Sequence, residues 1–136
     1  MIDFSAASFT KMDNADPGDA DALLDGLLLD GETIHAAYQG AKNVWAAFTD
    51  RRIIVVTAQG ITGKRRDYTT LPYSGISLAS VNTANGFDAD ASMDLWFGDP
   101  GITAQAGLVT PCRIHLEFVP GVDVRSLERF VVGRML

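Results

Sequence analysis

The fold is decided at the end of the chain, where "CRIHLEFVPGVDVRSLERFVVGRML" occupies residues 112–136. Cys112, Ile114, Leu116 and Phe118 alternate with Arg113, His115 and Glu117, the pattern of a half-buried antiparallel strand. Pro120 and Gly121 end that alternation. Beyond them Val124, Leu127, Phe130, Val131 and Met135 recur at helical spacing, while Arg125, Glu128, Arg129 and Arg134 face away. Asp123 is placed to cap this helix. Burying the apolar stripe contributes about 1.5–3 kcal/mol for each large side chain, enough to hold the helix against a sheet.

Six further strand-like segments precede this one: "TIHAAYQG" (33–40), "NVWAAFTD" (43–50), "RRIIVVTAQG" (51–60), "RRDYTTLPY" (65–73), "GISLASVNT" (75–83) and "SMDLWFG" (92–98). Each is rich in β-branched and aromatic residues and is bounded by Gly, Asn, Asp or Pro. Met93, Leu95 and Phe97 alternate with Asp94 and Trp96 as in the last strand. Pro72 interrupts an extended run, which places its strand at a sheet edge or at a bend. Seven strands followed by one amphipathic helix predict a mainly β protein, a small curved sheet or barrel with the helix over its open end.

The first thirty residues have a different character, with seven acids against one lysine, a net charge of −6. "ADPGDADALLDGLLLDG" (15–31) predicts a short helix at about 16–29: Asp16 caps, Pro17 takes the first helical position, acids crowd the first turn, and Gly31 stops it. Its stripe of Leu23, Leu24, Leu27 and Leu28 is narrow and must lie against something larger, a candidate contact between copies. The first dozen residues are expected to be mobile or held only by a partner. The division is an acidic segment over 1–30 and a β domain over 31–136.

Residues 31–136 carry ten acids and ten bases, unevenly spread: 31–86 has a net +3 and 87–136 a net −3. This balance argues against nucleic acid, which needs a broad basic surface. No apolar run approaches the roughly 20 residues of a membrane span, and the N-terminus lacks the basic start and apolar block of a signal peptide. A cytoplasmic protein is expected. Cys112 has no partner within the chain and reads as a small buried hydrophobe.

The stretches "FTDRRIIVV" (48–56), "QGITGKRRDYTTLPYSGIS" (59–77) and "SVNTANGFDAD" (80–90) together resemble the bacterial pleckstrin-homology-like family. Its members share phrases similar to F-T-x-[KR]-R-[IL]-I and Q-G-[IL]-T-G-K, then a tyrosine, I-P-Y, S-V-x-T-A and F-D-x-D. The similarity runs from about Leu28 to Phe97, and the terminal helix agrees in position. The resemblance implies the pleckstrin-homology fold, seven antiparallel strands capped by a C-terminal helix. It also implies a small domain without known catalysis whose relatives assemble as homo-oligomeric rings. Two departures stand out: an extra Asn85 in "ANGFDAD", and Asn82 where Glu is common. The phosphoinositide pattern of eukaryotic relatives, a basic first hairpin, is missing, because the turn "QGAKN" holds only Lys42.

Five of the eleven basic residues lie between Arg51 and Arg66 with no acid among them. Arg51 and Arg52 open one strand, whereas Lys64, Arg65 and Arg66 follow the turn at its far end, so two groups are expected. Three cations near an anionic membrane supply roughly 3 kcal/mol, which is millimolar binding. Lys64, Arg65 and Arg66 are therefore a candidate anion site whose stronger reading is a solvated hairpin or subunit contact. Other constellations are weaker still. His35 and His115 have no ligand-spaced companions, so neither metal nor cofactor is expected. Asp88, Asp90 and Asp94 lack the central Gly and terminal Glu of a calcium loop, and "GITGK" lacks the spacing of a phosphate-binding loop. Trp45, Phe48 and Trp96 read as core. No catalytic residues emerge, and the expected function is a non-enzymatic, self-associating interaction module. The alternative is a peripheral binder of anionic headgroups.

Overall fold

The computed structural model describes residues 7–59, 65–83, 90–98 and 112–136. Along the chain these form β1 (Ala7–Asn14), α1 (Pro17–Leu23), β2 (Ile34–Gln39), β3 (Trp45–Thr49), β4 (Arg52–Gln59), β5 (Arg65–Pro72), β6 (Ile76–Asn82), β7 (Ala91–Phe97), β8 (Cys112–Phe118) and α2 (Val124–Met135). The strands make one sheet in the order β5-β4-β3-β2-β1-β8-β7-β6. The seven expected strands are β2 to β8, and the fold is mainly β with a C-terminal helix. Pro72 closes β5, a terminal strand of the sheet, where its missing N–H costs no ladder bond.

The eighth strand corrects the expectation for the first dozen residues from residue 7 onward, because residues 7–14 are β1, inserted between β2 and β8; residues 1–6 lie outside the described residues. It runs parallel to β8, with Ala7, Ser8 and Phe9 beside Ile114, His115 and Leu116. Ala7, Phe9 and Met12 are buried in the main core. Their spacing slips by one after Phe9, and a bulge absorbs the slip with Lys11 at φ 56°. That slip breaks the alternation that would have announced a strand. Gly40 completes the fit, since a Cβ there would collide with Met12 Sδ and the Thr10 carbonyl oxygen.

The main core lies inside the curved sheet and is built from Phe48, Ile53, Val55, Met93, Leu95, Ile114, Leu116 and Phe118 among others. Helix α2 covers it with Val124, Leu127 and Val131. Asp123 caps α2 as expected, accepting from Ser126 N at 3.1 Å. Phe130 stacks flat on His35 at 3.9 Å and meets Tyr73 edge-on, tying the helix to β2 and to the turn after β5. A second, smaller cluster sits on the outer face of β2, β3 and β4, where Leu24 packs on Ala47, Ile54 and Val56. Asp16 and Pro17 begin α1 as the sequence predicts, but the helix ends at Leu23, short of residue 29. Gly26 at φ 81° turns the chain away.

Cys112 departs from its expected burial. It is exposed at the first position of β8, outside the part of the strand that the core covers, while Ile114, Leu116 and Phe118 are buried.

Candidate interaction surface

Three polar features could act on a partner, and each is set by the register of neighbouring strands. The first lies where the chain enters β2. Glu32 has a fully buried side chain and faces Arg52, the first residue of β4. The two make a fork: Arg52 Nε donates to Glu32 Oε2 and Nη2 to Oε1, both at 2.9 Å. Arg52 also donates to the Leu27 carbonyl at 2.8 Å and to Thr70 Oγ1 at 2.9 Å. Glu32 in turn accepts from Leu29 N at 2.9 Å and from Thr49 Oγ1 at 2.7 Å. The Arg52 bonds, helped by Leu29 and Thr49 against the cost of burial, hold the Glu32 carboxyl down at about 2. Tyr73 donates to the Thr49 carbonyl at 2.6 Å, and burial raises its hydroxyl well above the usual phenol range. Every strong bond of this corner is made within the chain. Arg52 is thus a tie between the α1–β2 connection and the β3–β4 turn, and Arg51 joins it through the Asp30 carbonyl at 3.3 Å.

The second feature is a ladder on the outer face of β7 and β8. Register sets Asp94 beside His115 and Trp96 beside Arg113. Arg113 donates to Asp94 Oδ1 through Nη2 at 2.7 Å and Nε at 3.1 Å, and its guanidinium lies 5.5 Å over the Trp96 ring. His115 places Nδ1 2.8 Å from the same Oδ1 and Nε2 3.1 Å from Glu117 Oε1. All three contacts to Asp94 fall on one oxygen, so Oδ2 accepts nothing among the described residues. Alternation had assigned each of these side chains to the outer face; only the register, which single strands do not encode, brings them together.

The third feature is the pair of sheet ends. Strands β5 and β6 are consecutive in sequence, yet among the described residues each has only one neighbour in the sheet. Both end strands show a large side chain to solvent: Tyr68 is 41% exposed on β5 and Leu78 is 52% exposed on β6. Neither residue stood out in the sequence, because exposure on an edge leaves no periodic signature.

The sequence-derived sites distribute as follows. Arg65 and Arg66 are exposed at the start of β5, pair with Gln59 and Ala58 in the ladder and make no side-chain bond among the described residues, and Lys64 lies outside the described residues. Arg52 pairs with Pro72 and Gln59 with Arg65, so the two basic groups stand at opposite ends of one hairpin, as expected. Of the leucine stripe, Leu24 is fully buried, Leu23 and Leu28 pack against its cluster, and Leu27 is 42% exposed. Phe48 is core, and Trp45 and Trp96 are half-buried. Asp88 and the connection at 99–111 lie outside the described residues; Asp90 is exposed. Among the described residues no group of three or more His, Cys, Asp or Glu could hold a metal ion, and no helix is long and apolar enough to cross a membrane.

A curved, mainly antiparallel sheet whose opening is covered by a C-terminal helix is the architecture that the sequence resemblance implied, apart from the parallel β1, and comparison with known proteins decides the matter. The model of the bacterial PH domain matches residues 3–133. The chain belongs to the bacterial PH domain family. Among solved structures it is similar to a DUF1696 family protein with a pleckstrin-homology domain from Shewanella loihica PV-4. That likeness has a TM-score of 0.68 at 25% identity and covers 93% of this chain and 99% of the other. A pleckstrin homology domain from Shewanella amazonensis SB2B gives a TM-score of 0.60 at 31% identity, over 90% of each chain. An uncharacterized Bacillus subtilis (strain 168) protein, YjqA, is 40% identical over 78 residues, 57% of this chain. That match spans 62% of the relative's length, less than two thirds of it.

Proposed function

We propose that this bacterial PH domain is a non-enzymatic interaction module that associates with copies of itself. The observation that carries the reading is the sheet's two ends, β5 and β6, which have no outer partner among the described residues and each expose a large side chain, Tyr68 and Leu78. An edge strand offers a row of unpaired N–H and C=O groups, and natural proteins either blunt such an edge or use it. The reading without catalysis draws support from the surface depressions. One, of about 410 Å³, is lined by Pro17, Gly18, Asp21, Glu32, Thr33 and Ile34, and both oxygens of its Glu32 are taken by Arg52, Leu29 and Thr49. Another, of about 250 Å³, is lined by Asn82, Asp90, Ala91, Ser92 and Glu117, and among the described residues no hydrogen bond joins the Ser92 hydroxyl to a carboxylate. The module works in the cytoplasm, where its exposed Cys112 stays a thiol. Light scattering on the purified chain at micromolar concentration tests the reading: a mass of several chains is expected, and a monomer overturns it.

A second reading has one observation in its favour, the exposed Arg65 and Arg66, whose side chains make no bond among the described residues, beside Lys64 in sequence. They would meet an anionic headgroup or phosphate, weakly for one copy and more firmly for several displayed together. Co-sedimentation with anionic vesicles measures this. Binding that is indifferent to replacing Lys64, Arg65 and Arg66 with Gln rejects it.

A further inference from the structure

At the corner between α1 and β2, a buried ion pair holds a connection whose leucines face solvent. The geometry points to this corner as a docking site for a cationic, apolar segment of another protein, with Leu27 and Leu29 as its apolar contacts and the neighbouring aspartates as its acidic rim. This rests on the reading of the chain as an interaction module, but it does not need the chain to associate with itself.

The connection is not slack. Leu27 N donates to the Leu24 carbonyl at 2.9 Å, and Glu32 N donates to the Leu29 carbonyl at 3.0 Å. Side chains of the tie add to these: Arg52 Nη2 donates to the Leu27 carbonyl, Leu29 N donates to Glu32 Oε1, and Arg51 Nη2 reaches the Asp30 carbonyl. Leu24 is buried beneath, with Leu23 and Leu28 packed against its cluster. Leu27 and Leu29 nevertheless stay 42% and 53% exposed. A single exposed leucine is ordinary. Two on a backbone fixed by a buried ion pair are less so, because such a pair adds little net stability over an apolar replacement and serves in some proteins to fix one conformation. A surface already held in one shape binds without the ordering cost that a mobile loop would meet.

The surroundings are acidic and unmatched. Asp19, Asp21, Asp25 and Asp30 are exposed, and none of their carboxylates joins an ion pair among the described residues. No Lys or Arg occurs between Lys11 and Lys42. Of the two arginines that reach the corner from the β3–β4 turn, Arg52 is paired with Glu32, so Arg51 alone faces these acids. Arg65 and Arg66 stand at the other end of the β4–β5 hairpin and cannot compensate from within the molecule. Beside the acids opens the depression of about 410 Å³: Asp21 lines it from α1, Ile34 gives it an apolar wall, and Glu32, whose Oε1 holds Leu29, joins it to the exposed leucines.

Charge and apolarity together select the occupant. A purely apolar segment leaves four carboxylates uncompensated, and a purely cationic one leaves Leu27 and Leu29 wet. An anionic membrane is repelled by the same carboxylates. A second copy meeting this face with its own sets like charges against like. The complement is a segment in which Lys or Arg flanks large aliphatic side chains, such as one side of a basic amphipathic helix lying along the corner.

The probe is a labelled amphipathic peptide of Leu and Lys, about 15 residues long so that it can form a helix, titrated with the full chain and read by fluorescence anisotropy. Saturable binding is expected, weakened several-fold by added salt. Leu27→Ser and Leu29→Ser should each weaken it about tenfold, the weight of one buried leucine. Leu78→Ser, at a leucine of similar exposure on β6, should leave it unchanged. Absence of binding, equal binding of a Ser/Lys or a Leu/Glu peptide, or an equal loss in Leu78→Ser overturns the site. A light-scattering mass that falls in Leu27→Ser or Leu29→Ser gives the surface to a second copy and overturns the partner assigned here. A monomeric wild-type chain that binds the peptide with the expected pattern supports the site and overturns self-association alone.

Discussion

Two arginine–carboxylate pairs in this molecule look alike on paper and differ in consequence. Arg52 grips Glu32 as a two-pronged fork inside the fold, where the Glu32 side chain is 0% exposed and Arg52 17%. Arg113 reaches a single oxygen of Asp94 on the outer face of the sheet, with 43% of the arginine and 18% of the aspartate side chain exposed. Taking Glu32 out of water is costly, and the structure meets that cost with donors from Arg52, Thr49 and Leu29. Its partners are thereby fixed, and so is the approach of the α1–β2 connection to the β3–β4 turn. Asp94 is wetter and shares one oxygen among three donors, while its other oxygen accepts nothing among the described residues. Burial, more than the identity of the pair, separates a structural tie from a surface able to receive a neighbour.

The buried pair is where breakage should be largest. Arg52→Met leaves the Glu32 carboxylate without its main partner, and removing one member of a buried pair costs about 3–5 kcal/mol. Urea unfolding should show that loss as a lower midpoint with an unchanged slope. A loss below about 1 kcal/mol would mean that the corner is wetter than its geometry implies.

Acid provides the next largest effect. The folded-state value of Glu32 lies below its unfolded value, so its contribution is complete above about 4.5 and is lost as pH falls toward about 2. The full difference corresponds to about 3 kcal/mol. Stability measured between pH 6 and pH 2 should therefore fall by about 3 kcal/mol less in Glu32→Gln than in the wild type. Equal falls would assign acid sensitivity to other carboxylates.

The contrast also marks what was legible in the sequence. Strands β2 to β8 and helix α2 could be read because each keeps a period, as Ile114, Leu116 and Phe118 do in β8, or, as in β3 and β4, an unbroken apolar run between turn residues. Strand β1 could not, because its inward residues Phe9 and Met12 are three apart and its pairing to β8 is parallel and distant in sequence. The stripe on α1 was visible as apolar material, but only the outer cluster of Ala47, Ile54 and Val56 reveals where Leu24 goes. Arg51 and Arg52 were separable from Arg65 and Arg66 by hairpin length, yet nothing local announced that Glu32, twenty residues before Arg52, was the partner. Composition and alternation show which side chains face out; the registers that assemble Asp94, Arg113 and His115 into a ladder are properties of the sheet.

The smallest effect should come from that ladder, and it sharpens the comparison most. A double-mutant cycle on Asp94→Asn and Arg113→Met in the isolated chain is expected to return a coupling of about 0.2–1 kcal/mol, the range of exposed ion pairs, several-fold below the cost of losing Arg52. Salt should reduce it further, since exposed charges are screened. A coupling near that of the buried pair would mean that the outer face is rigid and closed upon itself, with Asp94 committed to its own chain. Weak coupling leaves Asp94 energetically available to a second donor.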